Sequence, residues 1–319
     1  MQKDILIYRP LLIICIIIGH CFGIYNGSFF NSIGAVGYNW YKYMNPLFIS
    51  FQLYAFVFIS GYLYANHARK NAMIPFWSFV WKRFKRLYIP SLFFGILYVL
   101  LFESDLGGAK FILRVIKGPG HLWFLPMLFL NYILIKIFSY VLLGKPMTSI
   151  FISLFLMVVF RGSLNSAFSF FPFMLLGYYS FNMKDVLFNK IPYQLLIIGF
   201  IVLFVLNIWG TRIGIIPQKF VIVLVILTAV FGVIGFWGAS IELSNKQKIV
   251  NIANHISKGS YGAYVFHQFI LISILSMHYI PNWVIKPYFP WFLSLFICVS
   301  SFWIASMVLK SKIGRLLIG

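Results

Sequence analysis

An all-α integral membrane fold is predicted by three features of this sequence: its apolar content, the length of its apolar runs and the placement of its cations. Hydrophobic residues make up 61% of the 319 residues and charged residues 10%, against about 45–50% and 25% in soluble chains. So few charges cannot cover a water-facing surface, whereas a lipid-facing one needs none. Ten stretches are predominantly apolar: 5–25, 46–65, 87–104, 121–143, 147–161, 165–182, 191–209, 217–238, 259–280 and 289–309. A helix needs roughly 17–25 such residues to cross a bilayer; the fifth and sixth stretches are short, the fifth below that range and the sixth near its lower end. No connection is long enough for a soluble domain. Residues 1–319 are therefore read as a single transmembrane domain of about ten helices.

The cations orient that bundle. With the N-terminus inside, seventeen Lys and Arg fall on the cytoplasmic side and eight outside, with Lys136 within a span. The positive-inside rule thus places both termini in the cytoplasm of a multi-pass protein of the cell (cytoplasmic or inner) membrane. The exception is the second outer connection, which carries Lys110, Arg114 and Lys117. A formal charge of +21 would point a soluble chain towards nucleic acid, but these cations lie between apolar runs. Membrane lipid headgroups are the partner they fit, and no nucleic acid is expected. Cys15, Cys21 and Cys298 lie in apolar stretches without metal or redox spacing, so no metal site is expected.

Polar residues inside spans are expensive and mark candidate function. Arg9 and His20 stand eleven residues apart on the first span, close to three turns, so they share a face about 16 Å apart along the axis. Arg83 and Arg86 stand at i and i+3 in the basic run Lys82-Arg83-Phe84-Lys85-Arg86. On an α-helix that spacing puts two guanidiniums on one face, which suits a phosphate or pyrophosphate; a plain cytoplasmic border of a span is the competing reading. His121 and Trp123 open the fourth span at its outer side. Ser260, Tyr264 and His267 follow i, i+4, i+7, and such a stripe must face protein or water. Glu103, ending the third span, is the acid placed to orient His20. No G-x-S-x-G elbow, H-E-x-x-H, Walker-type glycine loop or pair of intramembrane carboxylates occurs.

These segments together resemble the acyltransferase-3 family, ten-span membrane acyltransferases that modify surface sugars. Arg9-x10-His20 resembles its first-span signature, Phe58-Ile59-Ser60-Gly61-Tyr62 its second-span motif, and Arg83-x-x-Arg86 with Pro90 its double-arginine motif. His121-Leu122-Trp123-Phe124-Leu125-Pro126, Phe171 to Tyr178 and Ser260 to His267 resemble further motifs in family order. Leu6 stands where the family usually carries an acid, and Asp4 is the nearest carboxylate.

The resemblance implies an O-acyltransferase, most often an O-acetyltransferase, with acetyl-CoA or another acyl-CoA as donor co-substrate and no permanently bound cofactor. The acceptor it implies is a carbohydrate hydroxyl on a surface polysaccharide or lipid-linked glycan. Arg9, Arg83, Lys85 and Arg86 would hold the nucleotide end of the donor. His20, with Arg9, would be catalytic, as general base on the sugar hydroxyl. Ser60, His121, Trp123, Ser260, Tyr264 and His267 would receive substrate. The rival reading is a transporter or flippase for a polyprenyl-linked glycan, which in its proton-coupled forms needs the intramembrane carboxylates this chain lacks.

Overall fold

The computed structural model describes residues 2–27, 37–70, 74–160, 166–214, 216–277 and 286–319. Arg161 and His278 lie outside these, as do the segment ends at 161, 165 and 278–280. The described residues form fourteen α-helices. In chain order they are α1 (Lys3–Phe22), α2 (Met44–Ile49), α3 (Gln52–Lys70), α4 (Phe76–Arg83), α5 (Ile89–Phe102), α6 (Gly108–Lys117) and α7 (Phe124–Val141). There follow α8 (Pro146–Val159), α9 (Ser166–Lys190), α10 (Tyr193–Arg212), α11 (Gln218–Leu243), α12 (Gln247–Leu275), α13 (Phe289–Val308) and α14 (Lys312–Ile318). Each of the ten predicted apolar segments overlaps one of them.

Among the described residues, seven helical runs are long and apolar enough to cross a membrane by length and composition: Lys3–Tyr25, Tyr41–Arg69, Phe76–Phe102, Gly120–Val141, Tyr193–Gly210, Phe220–Leu243 and Phe289–Val308. α8 is apolar but has only 14 residues. α9 and α12 are long, and their polar residues keep them below that apolar threshold. The chain gathers into two compact units, residues 1–56 with 184–306 and residues 57–183 with 307–319.

In the first unit α1 packs on α2, α11 and α12, and α10 lies along α11. The first turn of α1 is fixed by polar bonds. The buried Asp4 carboxylate accepts from Lys184 Nζ at 2.9 Å and from the Trp237 indole at 3.2 Å. An acid there also meets the positive end of the helix dipole. One turn on, the Tyr8 hydroxyl donates to the Val233 carbonyl at 2.8 Å. Near the far end of α1, the buried Asn45 amide donates to the Gly19 carbonyl at 2.8 Å. Both ends of α1 are therefore held by side chains from other elements.

In the second unit, α4 does not run straight into α5. Residues Phe84–Tyr88 make a π-helical turn, closed by the Ile89 N–H bonding back to the Phe84 carbonyl. Pro90 supplies the cause, because it has no N–H to give the Arg86 carbonyl in an α-helical bond. The wider turn changes the register between Arg83 and Arg86 from that of a regular α-helix. Arg83 is half-buried and Arg86 exposed.

The basic connection after α5 also differs from the loop expected. It contains the ten-residue helix α6, folded back along α5. Arg114 grips the Glu103 carboxylate at 2.6 and 2.7 Å, and the Tyr88 hydroxyl donates to the Ile116 carbonyl at 3.2 Å. A Cβ on Gly95 would meet Val115 and Pro119 within 3.6 Å. The turn that reverses the chain uses Gly118 and Gly120 with φ of 81° and 52°, a conformation that penalises side chains. It lies level with the middle of α5, so His121, at the start of the run that continues into α7, stands beside Tyr98, with ring centroids 6.4 Å apart.

Candidate functional site

The sequence-predicted residues divide between the units. Arg9, His20, Ser260, Tyr264 and His267 belong to the first; Ser60, Arg83, Lys85, Arg86, His121 and Trp123 belong to the second.

In the first unit the central contact is between two imidazoles. His20 Nδ1 lies 3.1 Å from His267 Nε2, with the ring centroids 5.1 Å apart. His267 is fully buried, and its Nδ1 is 2.5 Å from the Tyr264 carbonyl oxygen. That oxygen can only accept, so His267 carries its hydrogen on Nδ1. In the neutral ring Nε2 is then an acceptor, and His20 must donate to it from Nδ1. The tautomer of His20 is thereby assigned, with the basic lone pair on Nε2. The polar stripe of α12 is buried as its spacing requires: Ser260, Tyr264 and His267 are all covered. The Ser260 hydroxyl turns back to the Ile256 carbonyl at 3.5 Å. Arg9 is half-buried on α1.

Both Glu103 carboxylate oxygens accept from Arg114, and the His20 ring meets His267. The sequence marks His267 as a substrate residue, and its place against His20 is hidden by a separation of 247 positions. Asn45 was also missed. Holding the Gly19 carbonyl, it fixes the backbone beside His20, and its only sequence mark is an Asn-Pro step just before an apolar run.

In the second unit Arg83 lies on aromatic faces, its guanidinium carbon 4.0 Å from the Tyr132 ring centroid and 5.3 Å from that of Phe79. Lys85 and Arg86 are exposed in the π-helical turn, with Lys85 Nζ 5.7 Å from the Trp81 ring. His121 and Ser60 are buried, and Trp123 stands 6.0 Å from Phe170.

The second-span motif around Ser60 also has a packing role. A Cβ on Gly61 would lie 1.9 Å from the Met174 carbonyl oxygen, and one on Gly177 would lie 1.9 Å from that of Phe58. α3 and α9 thus cross backbone against backbone, as small residues permit between helices in membranes.

A family model described as an acyltransferase domain, of the acyltransferase-3 type, matches residues 7–310. Comparison with curated proteins gave no match, and neither did comparison with solved structures.

Proposed function

The chain belongs to the acyltransferase-3 family, and from that premise we propose that it is a membrane-bound O-acyltransferase with acyl-coenzyme A, most simply acetyl-CoA, as its donor. The acceptor is a hydroxyl of a cell-surface polysaccharide or of its lipid-linked precursor. Ten crossings of the cytoplasmic membrane with both termini inside complete the reading. They are supported by the ten apolar segments and by the seventeen-to-eight division of cations.

The observation that carries the proposal is the His20–His267 pair. An imidazole whose Nδ1 is committed to an acceptor presents Nε2 as a base. His20 Nε2 takes the proton of the acceptor hydroxyl as its oxygen adds to the thioester carbonyl. The tetrahedral intermediate then expels the coenzyme A thiolate, which recovers that proton from His20. One C–O bond forms and one C–S bond breaks, giving the O-acyl ester and free coenzyme A. His267 is a positioning residue: it accepts from His20 Nδ1 throughout and stabilises the imidazolium while the proton is held. The family motifs assign Arg9, Arg83, Lys85 and Arg86 to the anionic donor, whose phosphates guanidinium and ammonium groups suit. His121, Trp123, Ser60, Ser260 and Tyr264 are assigned to the acceptor.

The test is single-turnover transfer from labelled acetyl-CoA to purified glycan, together with mass spectrometry of surface glycans from cells with and without the gene. Loss of one acetyl per repeat in the deletion strain is the expected result. Unchanged glycans and no transfer by the purified protein would overturn the reading.

A further inference from the structure

Lys136 is the cation that the sequence left without a side of the membrane. It lies on α7 and is only 5% exposed. Its ammonium stands 4.8 Å from the ring centroid of Tyr140 and 5.8 Å from that of Phe79. The buried Phe79 ring also carries Arg83, so two cations share one aromatic face or its two sides. Neither has a carboxylate partner among the described residues. The second unit contains fifteen Lys and Arg against two acids, Glu103 and Asp105. Glu103 is held by Arg114, and Asp105 follows α5, beyond its far end from Phe79.

The energetics of this arrangement are unfavourable as it stands. Cation–π contacts recover only part of the desolvation cost of burying the Lys136 ammonium. Two like charges around one ring add repulsion. An anion held by both would offset all of these terms. The two groups are also complementary as anion ligands: a planar guanidinium fork and a compact ammonium with three donors.

We infer that Arg83 and Lys136 form a phosphate-binding pocket, walled by Phe79, Tyr132 and Tyr140, that takes a phosphate of the coenzyme A donor. The inference rests on the acyltransferase reading for the identity of the ligand, and on Lys136 alone for the pocket. It adds Lys136, from another helix, to the arginine run: Arg83 and Lys136 both approach the Phe79 ring, whereas Arg86 is exposed in the π-helical turn. A phosphate could also come from a lipid headgroup, and the experiment separates the two sources.

Binding is measured on the full chain in an uncharged detergent with three probes: coenzyme A, inorganic diphosphate and phosphatidic acid. The wild type binds coenzyme A, and diphosphate competes. Lys136→Met and Lys136→Gln weaken coenzyme A binding by about tenfold or more, the worth of a charge-assisted bond, while Lys136→Arg stays within about threefold. Thermal unfolding gives a second readout. Lys136→Met unfolds at a higher temperature than the wild type without ligand, since an uncompensated buried charge has been removed, and it loses the upward shift that coenzyme A gives the wild type.

Coenzyme A affinity unchanged in both Lys136→Met and Lys136→Gln would overturn the pocket and leave the acyltransferase reading standing. Diphosphate binding that depends on Lys136, without coenzyme A binding, would support the pocket and overturn the donor assignment. Binding of phosphatidic acid alone would make the ligand a lipid headgroup and overturn the donor assignment likewise. A wild type that binds none of the three would overturn the pocket.

Discussion

Where α1 meets α12 in the first unit, two polar rings touch; where α3 meets α9 in the second, two glycines each face a backbone carbonyl of the other helix. Both contacts come from short motifs that look alike as text, a few fixed residues within an apolar run. Their physics differs. His20 and His267 are polar rings placed on the facing sides of two mostly apolar helices, an expense that no packing argument requires. Gly61 and Gly177 have no chemistry to offer, but each leaves a backbone carbonyl where a side chain would otherwise be. A motif residue thus earns a catalytic reading only when its side chain, rather than the lack of one, makes the contact.

The sharpest way to break this contrast is at His20. His20→Ala is expected to insert and fold, to bind coenzyme A normally, and to lose single-turnover transfer by about 10²–10⁴-fold, or about 3–5 kcal/mol of barrier. His267→Ala should lower kcat with little change in the acceptor KM, because the lost group orients the base rather than the sugar. His267→Gln, which can still accept from Nδ1 through its amide oxygen, should recover part of that loss. A His267→Ala enzyme that changes only KM would return His267 to the acceptor site.

The glycine crossing should respond in the opposite way. Gly61→Ala and Gly177→Ala each place a methyl 1.9 Å from a carbonyl oxygen, so the helices must separate. Destabilisation at or above the upper end of about 1–3 kcal/mol is expected, read as a fall in unfolding temperature and in yield of monodisperse protein. Any protein that still folds should keep its His20-dependent chemistry. Full stability in both variants would mean that the helices do not cross so closely.

Much of this was legible in the sequence and some was not, for identifiable reasons. The helices follow from apolar runs, which a span must have whatever its neighbours are. His20 was legible because an ionisable group within a span requires an explanation. Its partner was not, since spacing along one helix tells which residues share a face and never which helix that face meets. The π-helical turn could have been suspected from Pro90, but the i, i+3 spacing of the arginines was weighed as if the helix were regular. α6 is too short and too basic to stand out as a span. Its pattern, with Lys110, Arg114 and Lys117 on one side and Ile112 and Ile116 on another, is nevertheless that of an amphipathic helix. Lys136 was counted only as an exception to the charge rule.

A third prediction concerns how α1 is held. Lys184→Met leaves the Asp4 carboxylate buried with the Trp237 indole as its remaining bond from another helix. Asp4→Asn instead removes the charge and keeps an acceptor for the indole. Lys184 is 28% exposed and can be solvated when its partner is neutral. Lys184→Met is therefore expected to lose more stability, within about 1–3 kcal/mol, than Asp4→Asn. The reverse order in thermal unfolding would mean that the ammonium, not the carboxylate, is the group that depends on the pair.

The smallest effect is expected at Glu103–Arg114, and it sharpens the contrast between buried and exposed charge. The pair is bidentate and short, but its side chains are 23% and 43% exposed, and pairs so accessible contribute about 0–1 kcal/mol. Glu103→Gln keeps the size and polarity of the side chain and frees Arg114 of its partner. It should shift the unfolding temperature little, and the shift should shrink further as salt is raised. It also removes one of only two acids in the second unit, so it tests whether the excess of cations acts as a diffuse field or through particular groups. If Arg83 and Lys136 bind phosphate by direct contact, coenzyme A affinity should be the same in Glu103→Gln as in the wild type at moderate salt. A gain in affinity as large as the loss in Lys136→Met would mean that net charge governs donor binding, and that the two cations around Phe79 have no special place in it.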